Sequence, residues 1–193
     1  MNVYNVASTA KVDIDYETPI NNRAKLDTGT FCNYDCGFCY YKTKLHEKTE
    51  LDVIKERIDY LVDCGITEMD LSGGESSVHE NWFEILDYCK ERKLNISCLS
   101  NGFKFAKREF LQKSKDHGLS EILFSVHGYD ETSHDTLVGR NRAYKHMMTA
   151  IDNAKDLGII VRVNCTVTND NYKHLDTFVQ TMLSINPAQI NFL

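Results

Sequence analysis

Strand-like and helix-like segments alternate along this chain without a break, and that alternation constrains the fold more than any other feature. Ala24–Thr28 reads as a strand. Leu51, Ile54, Ile58, Leu61 and Val62 recur at helical spacing, so 51–64 reads as a helix closed by Gly65. Glu68–Ser72 is strand-like, and Trp82, Ile85, Leu86 and Cys89 mark a helix. Asn95–Ser100 (strand), 107–116 (helix ended by Gly118) and Glu121–His127 (strand) follow. Met147, Ala150, Ile151 and Ala154 give a helix that ends near Gly158, before a strand over Ile159–Val167. Leu175, Phe178, Val179 and Met182 give the next helix, and Gln189–Leu193 a last strand. Strict alternation of this kind predicts a parallel sheet with crossover helices, either doubly wound or a barrel.

In either architecture ligands sit at the carboxyl ends of the strands. Those ends are unusually polar here. The first strand runs into Cys32, Cys36 and Cys39, the second into Ser72-Gly73-Gly74-Glu75, the third into Ser100-Asn101-Gly102 and the fourth into Ser125-Val126-His127-Gly128. The fifth strand carries two different faces. Val161, Val163, Cys165 and Val167 share one, suited to packing under helices, and Arg162, Asn164 and Thr166 share the other. A strand buried on both sides is normally apolar throughout. The polar face predicts an interior that holds a polar ligand.

The cysteines sharpen this reading. FCNYDCGFCYYK, residues 31 to 42, contains C-x3-C-x2-C. The N-terminus, MNVYNVASTAKVDIDYETPI, carries no basic stretch leading into an apolar one, so it does not read as a secretory signal, and a reducing, cytoplasmic setting is expected. There the seven cysteines of this 193-residue chain read as metal ligands plus buried thiols. Cys64, Cys89, Cys98 and Cys165 read as core thiols. Three thiols so close together suggest a metal whose remaining coordination is left for another ligand. A net charge of -6 without a basic run gives no clear nucleic-acid footprint. No segment approaches the roughly 18 apolar residues that span a bilayer.

With the C-x3-C-x2-C loop after the first strand, aromatic Phe38 before its third cysteine, and Gly73-Gly74-Glu75 after the second strand, the chain resembles the radical S-adenosylmethionine (SAM) superfamily. The later segments are similar to its viperin-like, peptide-maturing and molybdopterin-precursor branches. The likeness covers about residues 22 to 193, preceded by an extension over 1–21. It implies a partial (β/α)6 barrel of parallel strands, here cut short after the sixth. It implies that Cys32, Cys36 and Cys39 hold a [4Fe–4S] cluster with one iron left for SAM. It also implies that SAM contacts Phe38, Gly73, Gly74, Glu75, Asn101, Ser125, Arg140 and Asn164. Glu75 would face the methionyl amine and Arg140 the carboxylate. An electron donor such as flavodoxin or ferredoxin is implied as partner, with a peptide, nucleotide or small metabolite as substrate. His127 is a candidate for touching that substrate. The sequence departs from the common pattern at Ser76, where relatives carry proline.

The residues leave alternatives open. Three thiols with His46 have the composition of a structural zinc site. A Gly-Gly pair after a strand often makes only a turn, and Asn101 fits a turn equally well. His127 and Arg140 read as surface or satisfied side chains if no ligand calls on them, and Tyr40 and Tyr41 as loop aromatics or as a shield for the cysteines.

Overall fold

The computed structural model describes residues 22–43 and 47–193. The proposed extension over 1–21 and His46 lie outside the described residues. Six strands form one parallel sheet in the order of the chain: β1 (Arg23–Asp27), β2 (Glu68–Ser72), β3 (Asn95–Ser100), β4 (Leu119–Ser125), β5 (Ile160–Cys165) and β6 (Gln189–Phe192). Between them run α1 (Leu51–Asp63), α2 (Trp82–Glu91), α3 (Arg108–Asp116), α4 (Glu131–Val138), α5 (Ala143–Asp156) and α6 (Leu175–Ile185). Among the described residues β1 and β6 do not pair with each other, so the barrel is open along one side.

The alternation is produced by one buried layer. Leu26, Met69, Leu71, Ile96, Cys98, Ile122, Phe124, Val161, Val163 and Cys165 leave the sheet on its outer face. They meet Ile54 and Ile58 of α1, Trp82, Ile85 and Leu86 of α2, Met147, Ala150 and Ile151 of α5, and Phe178 and Met182 of α6. Each fully buried aliphatic or aromatic side chain contributes about 1.5–3 kcal/mol. Cys89, Cys98 and Cys165 belong to this core as expected, whereas Cys64 is exposed at the end of α1.

The inner face differs from the expectation at one level. Arg162 on β5 pairs with Glu121 of β4 and lies 3.6 Å from Asp70 of β2. Arg23 on β1 reaches Asp70 at 2.8 Å and Glu121 at 3.4 Å. The lower end of the barrel is therefore closed by a layer of ion pairs. Arg162 is polar for its charged neighbours and not for a ligand. Half-buried pairs of this kind add little net stability, because desolvation offsets most of the attraction.

β4 and β5 each end two residues earlier than the sequence pattern suggests, at a pair of neighbouring histidines. His127 leaves the ladder: its backbone N–H goes to Nδ1 of His134, and its own Nδ1 accepts the N–H of Thr166 at 3.1 Å. Two histidine side chains thus divert the hydrogen bonding, that of His134 beyond β4 and that of His127 beyond β5. The periodicity also gives no hint of α4, which has eight residues and only three buried ones, His134, Leu137 and Val138. Its ends specify it instead. Asp130 caps the first turn through Ser133 N, and Gly139 closes the last turn at φ 65°. Among the described residues no helix is long and apolar enough to cross a membrane.

Candidate functional site

The carboxyl ends of the strands enclose a cavity of about 340 Å³. Its walls include Cys32, Cys36, Cys39, Phe38, Gly73, Gly74, Glu75, Asn101, Ser125, His127 and Asn164. All of these were named from sequence, and tertiary structure brings them to one place from four βα turns and β5.

The cysteine loop is seated by backbone contacts on both sides. Gly74 N–H donates to Gly29 O and Glu75 N–H to Phe31 O, both at 2.9 Å, so the loop extends the β1–β2 pairing. This close approach fixes the two glycines. A Cβ on Gly73 would stand 2.2 Å from Gly29 O, and one on Gly74 would stand 2.0 Å from Phe31 O. Their first role here is to let two loops touch, in addition to any approach by a ligand. From the other side, Gly37 N–H donates to Leu137 O of α4 at 3.1 Å.

Burial raises the thiol pKa of Cys32 to about 11 and of Cys36 to about 12. The neighbouring cysteines add to this, since thiolates at two or three of these positions repel one another. Ionising Cys32 and Cys36 together needs a strong positive charge beside them. Among the described residues no three His, Cys, Asp or Glu side chains converge on a single-ion site. An iron–sulfur cluster asks for a different arrangement, with each thiolate on its own iron.

Glu75 is 3% exposed, and three donors hold it. Ser100 Oγ reaches Oε1 at 2.9 Å, Asn101 N–H reaches Oε2 at 2.6 Å, and Ser77 Oγ also bonds Oε1. Burial nevertheless outweighs these bonds and raises its pKa. A buried carboxylate in that state favours a cation beside it. Asn101 is more than a turn residue: its side-chain amide donates to Asn33 Oδ1 at 2.8 Å and lies 3.8 Å from Cys32 Sγ.

His127 is neutral. Burial, then His134 beside it, pushes its pKa down to about 3. Because Nδ1 accepts from Thr166, Nε2 carries the proton. The Phe38 ring meets it edge-on, with centroids 4.7 Å apart.

Arg140 stands apart from the cavity walls. Its Nη1 donates to Asn33 O at 2.9 Å, and its guanidinium lies over the rings of Tyr34 and Phe103 at 5.2 and 4.7 Å. It braces the outer side of the cysteine loop. Sequence reading missed Lys25, which reaches the cavity from β1, and Asn171, whose amide donates to His127 O and Thr166 O at 3.0 and 2.9 Å. The alternation Arg23-Lys25-Asp27 carried a signal for the first. Nothing local marks the second.

The family model described as the radical SAM superfamily matches residues 26–182. The chain belongs to the radical SAM superfamily. It is 26% identical over 179 residues to the antilisterial bacteriocin subtilosin biosynthesis protein AlbA of Bacillus subtilis, covering 91% of this chain and 40% of that protein. It is 24% identical to GTP 3',8-cyclase of Vibrio vulnificus, covering 88% and 52%. Among solved structures, Streptococcus suis SuiB bound to precursor peptide SuiA superposes with TM-score 0.72 at 18% identity, covering 89% and 38%. SuiB bound to S-adenosylmethionine gives 0.70 at 21%. The chain thus spans about half or less of the length of these relatives.

The cofactors of a radical SAM protein are a [4Fe–4S] cluster and SAM. The residues present fit that pair. Three thiols on one loop line the cavity, so a four-iron cluster held by them keeps one iron for another ligand. Glu75 offers a buried carboxylate on the same wall, and the cavity is of the size usual for small-molecule sites.

Proposed function

We propose that this chain is the catalytic core of a radical SAM enzyme that cleaves SAM reductively and uses the product to abstract hydrogen from a substrate. The observation that supports this most is the convergence of Cys32, Cys36 and Cys39 with Glu75, Asn101, Ser125 and Asn164 on one cavity.

In this reading the three thiolates hold the cluster. Glu75 receives the methionyl ammonium, a charge pair in a site too buried for water to screen. Asn101 joins the two halves, since its backbone holds Glu75 and its amide lies beside Cys32. Ser125 and Asn164, opposite each other on β4 and β5, position the nucleoside. Phe38 and His127 form the wall that keeps water from the reacting atoms, and the Nε2–H of His127 donates a hydrogen bond to the substrate. Arg140 acts by holding the cysteine loop. The chemistry supplied by cluster and SAM when bound is one-electron cleavage of a carbon–sulfur bond, giving a 5′-deoxyadenosyl radical that takes a hydrogen atom from the substrate. The protein contributes orientation and exclusion. Substrates of the peptide, nucleotide and small-metabolite classes fit this chemistry, and the setting proposed is the cytoplasm.

The test is anaerobic reconstitution with iron and sulfide, then low-temperature EPR of the reduced protein with and without SAM, and assay for 5′-deoxyadenosine. A cluster signal that shifts on adding SAM, with 5′-deoxyadenosine formed, is expected. A colourless protein that retains zinc would sink the reading.

A further inference from the structure

Strand β1 sends Arg23, Lys25 and Asp27 to the inner face of the barrel, alternating with Ala24 and with Leu26, which packs in the outer core. The two cations are treated differently. Arg23 is held by Glu68 at 2.8 Å, by Asp70 at 2.8 Å and by Glu121 at 3.4 Å. Lys25 stands in register with Asp70 on β2, but Asp70 is already shared by Arg23, Arg162 and the hydroxyl of Ser97. Among the described residues the one ion pair of Lys25 is with Asp27, whose Oδ1 lies 3.9 Å from Nζ, too far for a hydrogen bond. The other oxygen of Asp27 accepts the Tyr41 hydroxyl. The Lys25 ammonium thus makes no hydrogen bond among the described residues.

Lys25 lines the cavity that the cysteines and Glu75 also line. Among the described residues it is the one lysine or arginine there, and Glu75 is the one aspartate or glutamate. His127 is neutral and adds a donor without a charge. Lys25 also stands on the open side of the barrel, since β1 and β6 do not pair. A molecule entering from that side meets it.

Glu75 and Lys25 then call for different partners. In the radical SAM reading Glu75 is satisfied by the methionyl ammonium. Lys25 is left as the one cation of the walls, and filling the cavity strips its water. An ammonium enclosed without a counter-charge is costly. A neutral substrate leaves it in that state, whereas a carboxylate supplies the partner. Selection of this kind works through the charge that a wrong substrate leaves unpaired. The number of charges narrows the class. The phosphate chain of a nucleotide carries several negative charges and is commonly met by magnesium or by several cations. A single compact ammonium matches a single carboxylate.

We propose that Lys25 selects the substrate by holding its carboxylate, so that the substrate is a carboxylic acid, either an acidic residue of a peptide or a small organic acid. The proposal rests on the radical SAM reading of the same cavity, and it removes nucleotides from the classes that fit. Lys25 acts on which molecule is held and takes no part in the cleavage of SAM.

The experiment titrates the reconstituted protein, with SAM present, with paired probes. Acetyl-Gly-Glu-Gly-amide is set against acetyl-Gly-Gln-Gly-amide, glutarate against glutaramide, and uridine triphosphate serves as the phosphate probe. Binding is read by saturation-transfer NMR and calorimetry. Wild type is compared with Lys25→Met and with Lys25→Arg, which keeps the charge; Lys25→Gln is the second neutral variant if Lys25→Met misfolds. Wild type should bind at least one acid about fivefold more tightly than its amide. That preference should vanish in the neutral variant and return in Lys25→Arg, with SAM affinity unchanged. A preference confined to the peptide pair identifies the peptide source, and one confined to glutarate the free acid. Acids and amides that bind wild type alike or not at all would overturn the proposal. So would a preference that survives in the neutral variant, or uridine triphosphate bound more tightly than every acid. A loss of SAM affinity in the neutral variant would assign the lysine to the cofactor and overturn it as well. Failure of wild type to bind SAM would count against the radical SAM reading instead, and the same titrations without SAM would still decide whether Lys25 holds a carboxylate.

Discussion

The backbone N–H of Asn101 donates to Glu75 Oε2 at 2.6 Å, and through that bond the turn after β3 holds the carboxylate that follows β2. The same asparagine reaches toward Cys32 with its side chain, 3.8 Å from Sγ. The carboxylate proposed to receive SAM and the first cysteine therefore share one small polar hinge, and disturbing either is felt by both.

Glu75→Gln removes the charge and keeps the shape. A hydrogen bond to a charged group contributes about 1.5–3 kcal/mol. SAM affinity should fall by about one to two orders of magnitude, while iron content stays near wild type. Equilibrium dialysis or calorimetric titration with SAM reads the effect. An unchanged Kd would remove Glu75 from the SAM site.

The glycines at 73 and 74 should be intolerant for a reason internal to the chain. Gly74→Ala places a Cβ about 2.0 Å from Phe31 O, and Gly73→Ala places one 2.2 Å from Gly29 O at a φ of 121°. Each should cost about 2–4 kcal/mol and loosen the cysteine loop, lowering both Tm and iron retention. Gly37→Ala, on the same loop with nothing within 4 Å of the added Cβ, is the control and should change stability by no more than about 0.5 kcal/mol. Equal Tm values for all three would show that the close approach is not needed.

The fold should weaken in mild acid through His127 and His134. Burial holds their pKa values at about 3 and about 4, below the 6.5 of a histidine in the open chain. Between those limits the unfolded state binds more protons than the native one, so stability falls as pH drops from about 6.5 toward 4. At pH 5.5, one unit below the unfolded value, each neutral histidine costs about 1.4 kcal/mol of stability. Urea unfolding at pH 7.5 and 5.5 reads the sum. The double variant His127→Gln/His134→Gln should lose most of that pH slope, and retention of the full slope would contradict the assignment.

Cysteine substitutions should divide sharply by position. Cys36→Ala should remove most bound iron and sulfide after reconstitution, as should Cys32→Ala and Cys39→Ala. Cys64→Ala, at an exposed helix end, should leave both unchanged. Iron and acid-labile sulfide assays separate the outcomes. Full iron content in Cys36→Ala would break the ligand assignment.

The sequence by itself determined the alternation of strands and helices, because hydrophobic periods of two and of 3.6 are local properties of the chain. It determined which strand ends are chemically loaded, because parallel topology sends every βα turn to the same rim. Cys32, Cys36, Cys39, Gly73, Gly74 and Glu75 were legible for that reason. Tertiary structure alone decided what those groups meet. That Gly73 and Gly74 are required by backbone at Gly29 and Phe31 depends on contacts between distant segments. So does the bond from Arg140 to Asn33, 107 residues away, which places that arginine outside the cavity. Arg162 carries the same lesson, since its place on a polar face was visible but its partners Glu121 and Asp70 come from β4 and β2. Side-chain type is written locally, whereas the partner that satisfies a buried charge is supplied by whichever strand the fold lays beside it.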